Sequence, residues 1–172
     1  ALSSAASDVY KRQEHNAVKV KRDGSVQAAV IDTLDKSYYS EDELKQTIDD
    51  SVSAYNQSQE GDPIVVKKFN VTDGKAELYM NYAASRDYQD FNNVTFYTGD
   101  LQGAYNQKYE FPDEFQKVEN GKVIGSVTRS DILSGLNYNV VICSEEMDIE
   151  VPGKILYVTM DAVVTGTVSY TH

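Results

Sequence analysis

The sequence predicts an α+β domain: a largely antiparallel sheet built from hairpins, with one long amphipathic helix and several short helices packed on it. Three observations carry this. Asp-Gly or Asn-Gly recurs between alternating apolar and polar runs. A single capped helical stripe follows Ser40. No strand–helix–strand alternation of the kind that builds a parallel nucleotide-binding sheet is present.

Taken in order, "AVKVKRDGSVQAAVIDTL" alternates on both sides of Asp23-Gly24, the strongest short hairpin signal because both turn residues tolerate positive φ. The same grammar returns around Asp73-Gly74 and around Asn120-Gly121. The spacing suggests a repeat, but the matches are confined to the turns, so shared turn chemistry explains them.

Between the first two hairpins, "SEDE" forms an S-x-x-E capping box from Ser40 and Glu43. Glu41, Asp42 and Glu43 also complement the positive end of the helix dipole. Leu44, Ile48, Val52 and Tyr55 recur on one face, which predicts a helix over about 41–59 whose stripe covers the sheet. Further on, Ser85 reads as the N-cap of a short helix and "VTFYTG" as a strand. A second short helix is expected from Asp100 and a third over Ser130 to Leu136. "YNVVICS" is strand-like, as are both sides of Pro152-Gly153, and "AVVTG" would add an edge strand.

The two ends of the chain read as one piece of DNA. Asp8 to Gln13, back-translated as GAT GTG TAT AAG AGA CAG, has a reverse complement that encodes Val168 to His172. An inverted DNA repeat has no protein-level cause, and the stretch resembles the translated mosaic end of a sequencing adaptor. We therefore expect a non-native leader (1–13), one domain (14–166) and a non-native tail (167–172), and the ends are set aside in fold reasoning.

About 150 residues suit one domain with a single core. Without the leader, Lys+Arg falls from 16 to 14 and Asp+Glu from 27 to 26, which moves the net charge from −11 to −12. So acidic a surface repels phosphate backbones and anionic lipid, which argues against nucleic acid and against electrostatic membrane docking.

Phosphate-binding glycine loops and the hydrolase G-x-S-x-G elbow are missing from the sequence, so no cofactor is implied. Cys143, the one cysteine, sits in an apolar strand-like run and reads as core filler; a nucleophile would want a histidine, and His15 is the one within 14–166. One histidine and one cysteine do not build a zinc site. Glu146, Asp148 and Glu150 would share one face of a strand, a conceivable calcium row, but they read as the solvated face of an edge strand. Paired carboxylates for glycan hydrolysis are set by fold geometry, and no pair stands out in the sequence.

Of 13 tyrosines, 11 remain once Tyr10 and Tyr170 are set aside. Tyr38, Tyr39, Tyr82 and Tyr88 lie near turns or helix starts. Exposed there, they would stack on a glycan or protein partner, with an apolar ring and a polar tip; packed on the sheet, they would be core. Asn56, Asn70 and Asn93 each begin N-x-[ST], which matters only in a eukaryotic secretory protein.

"HNAVKVKRDGSV", "DKSYYSEDELK" and "PGKILYVT" together resemble a group of uncharacterised surface lipoproteins of anaerobic Gram-positive gut bacteria. The resemblance spans most of 14–166. It implies an extracellular domain held to the membrane by an N-terminal lipid whose cysteine motif is not in this sequence. It implies no activity, cofactor or catalytic residue. The expected function is a non-enzymatic binding or structural role in the cell envelope; the alternative is a carboxylate-dependent glycan hydrolase.

Overall fold

A computed structural model describes residues 15–34, 40–135 and 137–165. Within them the architecture is α+β, with mainly antiparallel pairing. The strands are β1 (Ala17–Val20), β2 (Val26–Thr33), β3 (Ile64–Thr72), β4 (Lys75–Tyr82), β5 (Phe96–Asp100), β6 (Glu114–Glu119), β7 (Lys122–Thr128), β8 (Asn139–Cys143), β9 (Asp148–Glu150) and β10 (Tyr157–Thr159). The helices are α1 (Glu41–Gln57), α2 (Ser85–Asn92), α3 (Leu101–Asn106) and α4 (Arg129–Leu133).

Where one sheet was expected, the strands form three, in the orders β3-β4-β2-β1-β9, β10-β6-β7 and β5-β8. The strand-like runs around Pro152-Gly153 do not pair with each other. β9 joins the first sheet parallel to β1, with Val18 opposite Ile149, while β10 joins β6. Such long-range pairing leaves no local trace in sequence.

All three Asx-Gly hairpins form, by two kinds of turn. Asp73-Gly74 and Asn120-Gly121 are two-residue loops between the pairs Thr72–Lys75 and Glu119–Lys122. Both of their central residues have positive φ (53° and 73°; 50° and 76°), as the primed turn matching strand twist requires. At Asp23-Gly24 only the glycine does (87°). There Asp23 turns its carboxylate back to accept from Ser25 N–H at 2.9 Å and Ser25 Oγ at 2.6 Å, and the loop widens to five residues.

Ser40 caps α1 by accepting from Glu43 N–H at 3.3 Å. The helix ends at Gln57, two residues short of the expected Gln59. Val52 is buried, and Ile48 and Tyr55 pack at the margin of the same core.

The cap of α2 is displaced by one residue from Ser85. Ala84 is the N-cap, and its N–H donates to the buried carboxylate of Asp87. Ser85 Oγ is spent on Thr98 N–H at 3.2 Å, which ties α2 to β5. Asp100 caps α3 through Gly103 N–H. Thr128, rather than Ser130, caps α4 in a reciprocal box with Asp131. Residues 162–165 form no strand, so the expected edge strand in "AVVTG" is absent from its described part.

The main core lies between the five-stranded sheet and α1 and α2. Val18, Val20, Val26, Ala28, Ile64, Met80 and Tyr82 come from the sheet, Val52 and Tyr88 from the helices, and Phe96 from β5. Alternation along β1, β2 and β4 puts these residues on one face. Full burial of each large side chain contributes about 1.5–3 kcal/mol relative to exposure.

Candidate functional site

The tyrosines proposed as exposed binding rings divide. Tyr38 and Tyr39 lie outside the described residues. Tyr82 and Tyr88 are core residues, 2% and 5% exposed, so of the two placements open to them they take the one packed on the sheet and not the binding one. Tyr82 sits on the inward face of β4 with Met80, and Tyr88 on the inward side of α2. Their rings meet edge to face at 5.0 Å, and Tyr88 packs on Phe96 at 4.6 Å.

The hydroxyls explain how so much tyrosine is buried. Tyr88 donates to Glu145 Oε1 at 2.8 Å, and Tyr82 accepts from Asn92 Nδ2 at 3.2 Å. Tyr55 donates to Asp87 Oδ1 at 2.9 Å. Burial, reinforced by the Glu145 carboxylate, raises the Tyr88 pKa far above its ordinary range; burial pushes Tyr82 up to about 12. These rings are neutral donors and spacers. A binding platform would need them at the surface, where Tyr105, 57% exposed on α3, is the ring that does stand out.

Cys143 packs half-buried against the core, with its thiol 3.4 Å from the Glu145 carbonyl. Burial raises its pKa, the wrong direction for a nucleophile at neutral pH. Glu146, Asp148 and Glu150 do not form a row on one strand, and the expected solvated face holds for the first two only. Glu146 precedes β9, Asp148 is exposed, and Glu150 is buried. Among the described residues no group of three His, Cys, Asp or Glu side chains could hold a metal ion. Among them, too, no helix is long and apolar enough to cross a membrane.

Two shallow hollows adjoin Lys21 at the turn end of the five-stranded sheet. One, about 270 Å³, lies between the β1–β2 turn and the loop of Gly61, Asp62 and Pro63, with Gln27 and Asn81 on its floor. The other, about 220 Å³, lies between Lys19, Lys21 and Arg22 on one side and Glu150, Val151 and Pro152 on the other. Each contains one carboxylate, Asp62 and Glu150 respectively.

The second feature of the surface is apolar. On the three-stranded sheet Val118 is buried and donates its N–H to the carbonyl of Leu156, itself 39% exposed, while its cross-strand partner Val123 is 47% exposed. Ile124, the extra residue of the β7 bulge, is 51% exposed, and Met160 and Val163, beyond β10, are 54% and 86% exposed. From Lys122 to Thr128 every residue except Val127 is exposed, and none is acidic. The sequence signal was "KVIGSV", where Val123 and Ile124 are adjacent. A hairpin reading of the run does not show that it is exposed along its length.

Comparison with protein-family models, with curated proteins and with solved structures finds no match to this chain.

Proposed function

We propose that this chain is a non-enzymatic binding domain displayed on a bacterial cell surface by a lipid anchor, and that it engages a protein partner through the three-stranded sheet. The observation that carries this is the set of exposed apolar residues on and beside that sheet, Val123, Ile124, Leu156, Met160 and Val163, on a chain whose net charge is −11. Large apolar side chains left exposed in number on one sheet are a mark of protein-contact sites. The surface location and the anchor rest on the resemblance drawn from "HNAVKVKRDGSV" and its companion stretches. The competing reading, a glycan hydrolase, needs two carboxylates facing one bond across roughly 5–9.5 Å. The two hollows offer one carboxylate each, which weighs against it.

The experiment compares the intact chain with Ile124→Asp and Met160→Asp for binding to proteins of an anaerobic Gram-positive cell envelope. The proposal expects both variants to lose binding while keeping the parental melting temperature. Unchanged binding in both would reject these residues as the contact surface. Glycan hydrolysis by the parent chain, abolished by Glu150→Gln, would reject the non-enzymatic reading.

A further inference from the structure

The three Asx-Gly turns share a sequence grammar but not a chemical environment, and the difference bears on covalent stability. We propose that Asn120 is a site of spontaneous backbone modification, in which the Gly121 amide nitrogen attacks the Asn120 side chain and converts residue 120 to a mixture of aspartate and isoaspartate.

The step balances without any external oxidant or reductant. The Gly121 N–H loses its proton to solvent base, and the nitrogen attacks Cγ of Asn120. A five-membered imide closes, the Cγ–Nδ2 bond breaks, and the side-chain nitrogen leaves as ammonia. Water then opens the imide at either carbonyl. One opening restores the main chain with aspartate at 120; the other leaves isoaspartate, with an added methylene in the backbone; either product carries a new negative charge.

Three observations place the reaction here. Asn120-Gly121 is the one Asn-Gly in the chain, and with no Cβ on Gly121 its nitrogen is unhindered as a nucleophile. Asn120 is exposed at the tip of a two-residue loop. The ladder closes below it between Glu119 and Lys122, so the Gly121 N–H is not one of the paired strand groups. Among the hydrogen bonds formed by the described residues, none engages the Asn120 side chain.

The other two turns are poorer sites. Asp23 has its carboxylate held by Ser25 N–H and Ser25 Oγ, and an ionised, hydrogen-bonded carboxylate is a weak electrophile with a poor leaving group. Those hydrogen bonds also lower its pKa, which keeps the unreactive form dominant. Asp73, at φ 53°, shares the geometry of Asn120 but carries the same slower leaving group. The structure therefore orders the three sites: Asn120 first, Asp73 next and Asp23 last. It also sets a brake. The turn fixes the backbone of Asn120 and Gly121, with φ 50° and 76°, and so restricts the rotation that brings nitrogen and Cγ together.

The test incubates the full chain at mildly alkaline pH and maps its peptides by mass, with an isoaspartate-specific methyltransferase as a second readout. The expected result is conversion first in the peptide spanning 120–121, rising with pH and faster in urea, where the turn no longer holds Asn120. Asn120→Gln, whose cyclisation needs a larger ring, should abolish the product; Gly121→Ala should slow it in urea, where turn strain plays no part. Conversion appearing first at Asp23 or at another asparagine would overturn the proposal. So would an Asn120 amide that stays intact in urea.

Discussion

Asn56 pairs with the backbone of Ile64 in both directions: its Nδ2 donates to the Ile64 carbonyl at 2.8 Å, and its Oδ1 accepts from the Ile64 N–H at 3.1 Å. A side-chain amide thus does for the start of β3 what one residue of an additional strand would do. β3 is an edge of the five-stranded sheet, and open edges invite pairing with other chains. At the far end of the same strand, Glu41 from the first turn of α1 accepts from Val71 N–H at 3.0 Å. The helix that covers the core also closes the sheet's edge, one side chain near each end. On β7 the logic repeats, with Asp131 of α4 accepting from Thr128 N–H.

Removing the Asn56 amide should therefore act twice. Asn56→Ala leaves two half-buried backbone groups without partners, a cost of about 1–3 kcal/mol. It also opens the β3 edge, so light scattering on mild heating should rise in step with the loss of urea stability. Asn56→Asp keeps the acceptor alone and should fall between. If Asn56→Ala unfolds at the parental urea midpoint, the clamp contributes nothing.

The stripe of α1 is tested by order. Val52→Ala should cost about 1–2 kcal/mol, and Ile48→Ala about 2 kcal/mol, the low end of the core range because Ile48 is only partly buried. Ser40→Ala should cost about 1 kcal/mol through the lost cap. Asp49→Ala loses an exposed i,i+4 pair with Lys45 and should stay within about 0.5 kcal/mol. Urea unfolding ranks the four. A Val52→Ala variant as mild as Asp49→Ala would detach the helix from the core.

Cys143 gives a kinetic check on the margin of that core. Its thiol is half-buried and burial raises its pKa, so a thiol reagent should label the folded chain far more slowly than the urea-unfolded one. Cys143→Ala should lower stability by about 1 kcal/mol through lost packing. Equal labelling rates in the two states would place the thiol in solvent.

What was legible in the sequence was local. The turns at Asp73-Gly74 and Asn120-Gly121, the Ser40 and Asp100 caps and the Val52 stripe each depend on residues within a few positions. Errors arose where a distant partner decided the outcome. Ser85 looked like a cap, but its hydroxyl was claimed by Thr98, thirteen residues on, and Asp87 did the capping instead. β9 reads as solvated because it is acidic, yet pairing with β1 leaves Glu150 buried. Tyr82 and Tyr88 were the hardest, since a tyrosine fits a surface or a core equally well. What buried them was Asn92 and Glu145, and the latter lies fifty-seven residues from Tyr88. The apolar exposure of β7 has the same origin: only the assembled sheet shows that the strand is exposed at every residue but Val127.

Those buried tyrosines fix how the fold should respond to alkali. In the unfolded chain a tyrosine ionises near 10.0, while in the folded chain burial pushes Tyr82 up to about 12 and Tyr88 higher still. Both groups have folded values raised above unfolded ones, so their contribution is fully present below pH 10 and is lost as pH rises past it. Between pH 10 and 12 the unfolded state releases both protons and the folded state keeps them, so the equilibrium is drawn toward unfolding. Each tyrosine should remove about 1.4 kcal/mol of stability per pH unit over that window. Urea midpoints measured from pH 8 to 12 would show the slope, and tyrosinate absorbance would show whether ionisation and unfolding coincide. The informative quantity is the difference between the parent and Tyr82→Phe or Tyr88→Phe. Each substitution removes one titrating group and should flatten the decline, although Tyr88→Phe also gives up the bond to Glu145 and starts from a lower stability at pH 8. A parent and a Tyr88→Phe variant that decline in parallel above pH 10 would mean that this ring ionises as freely in the fold as outside it, and that the aromatic core is open to water.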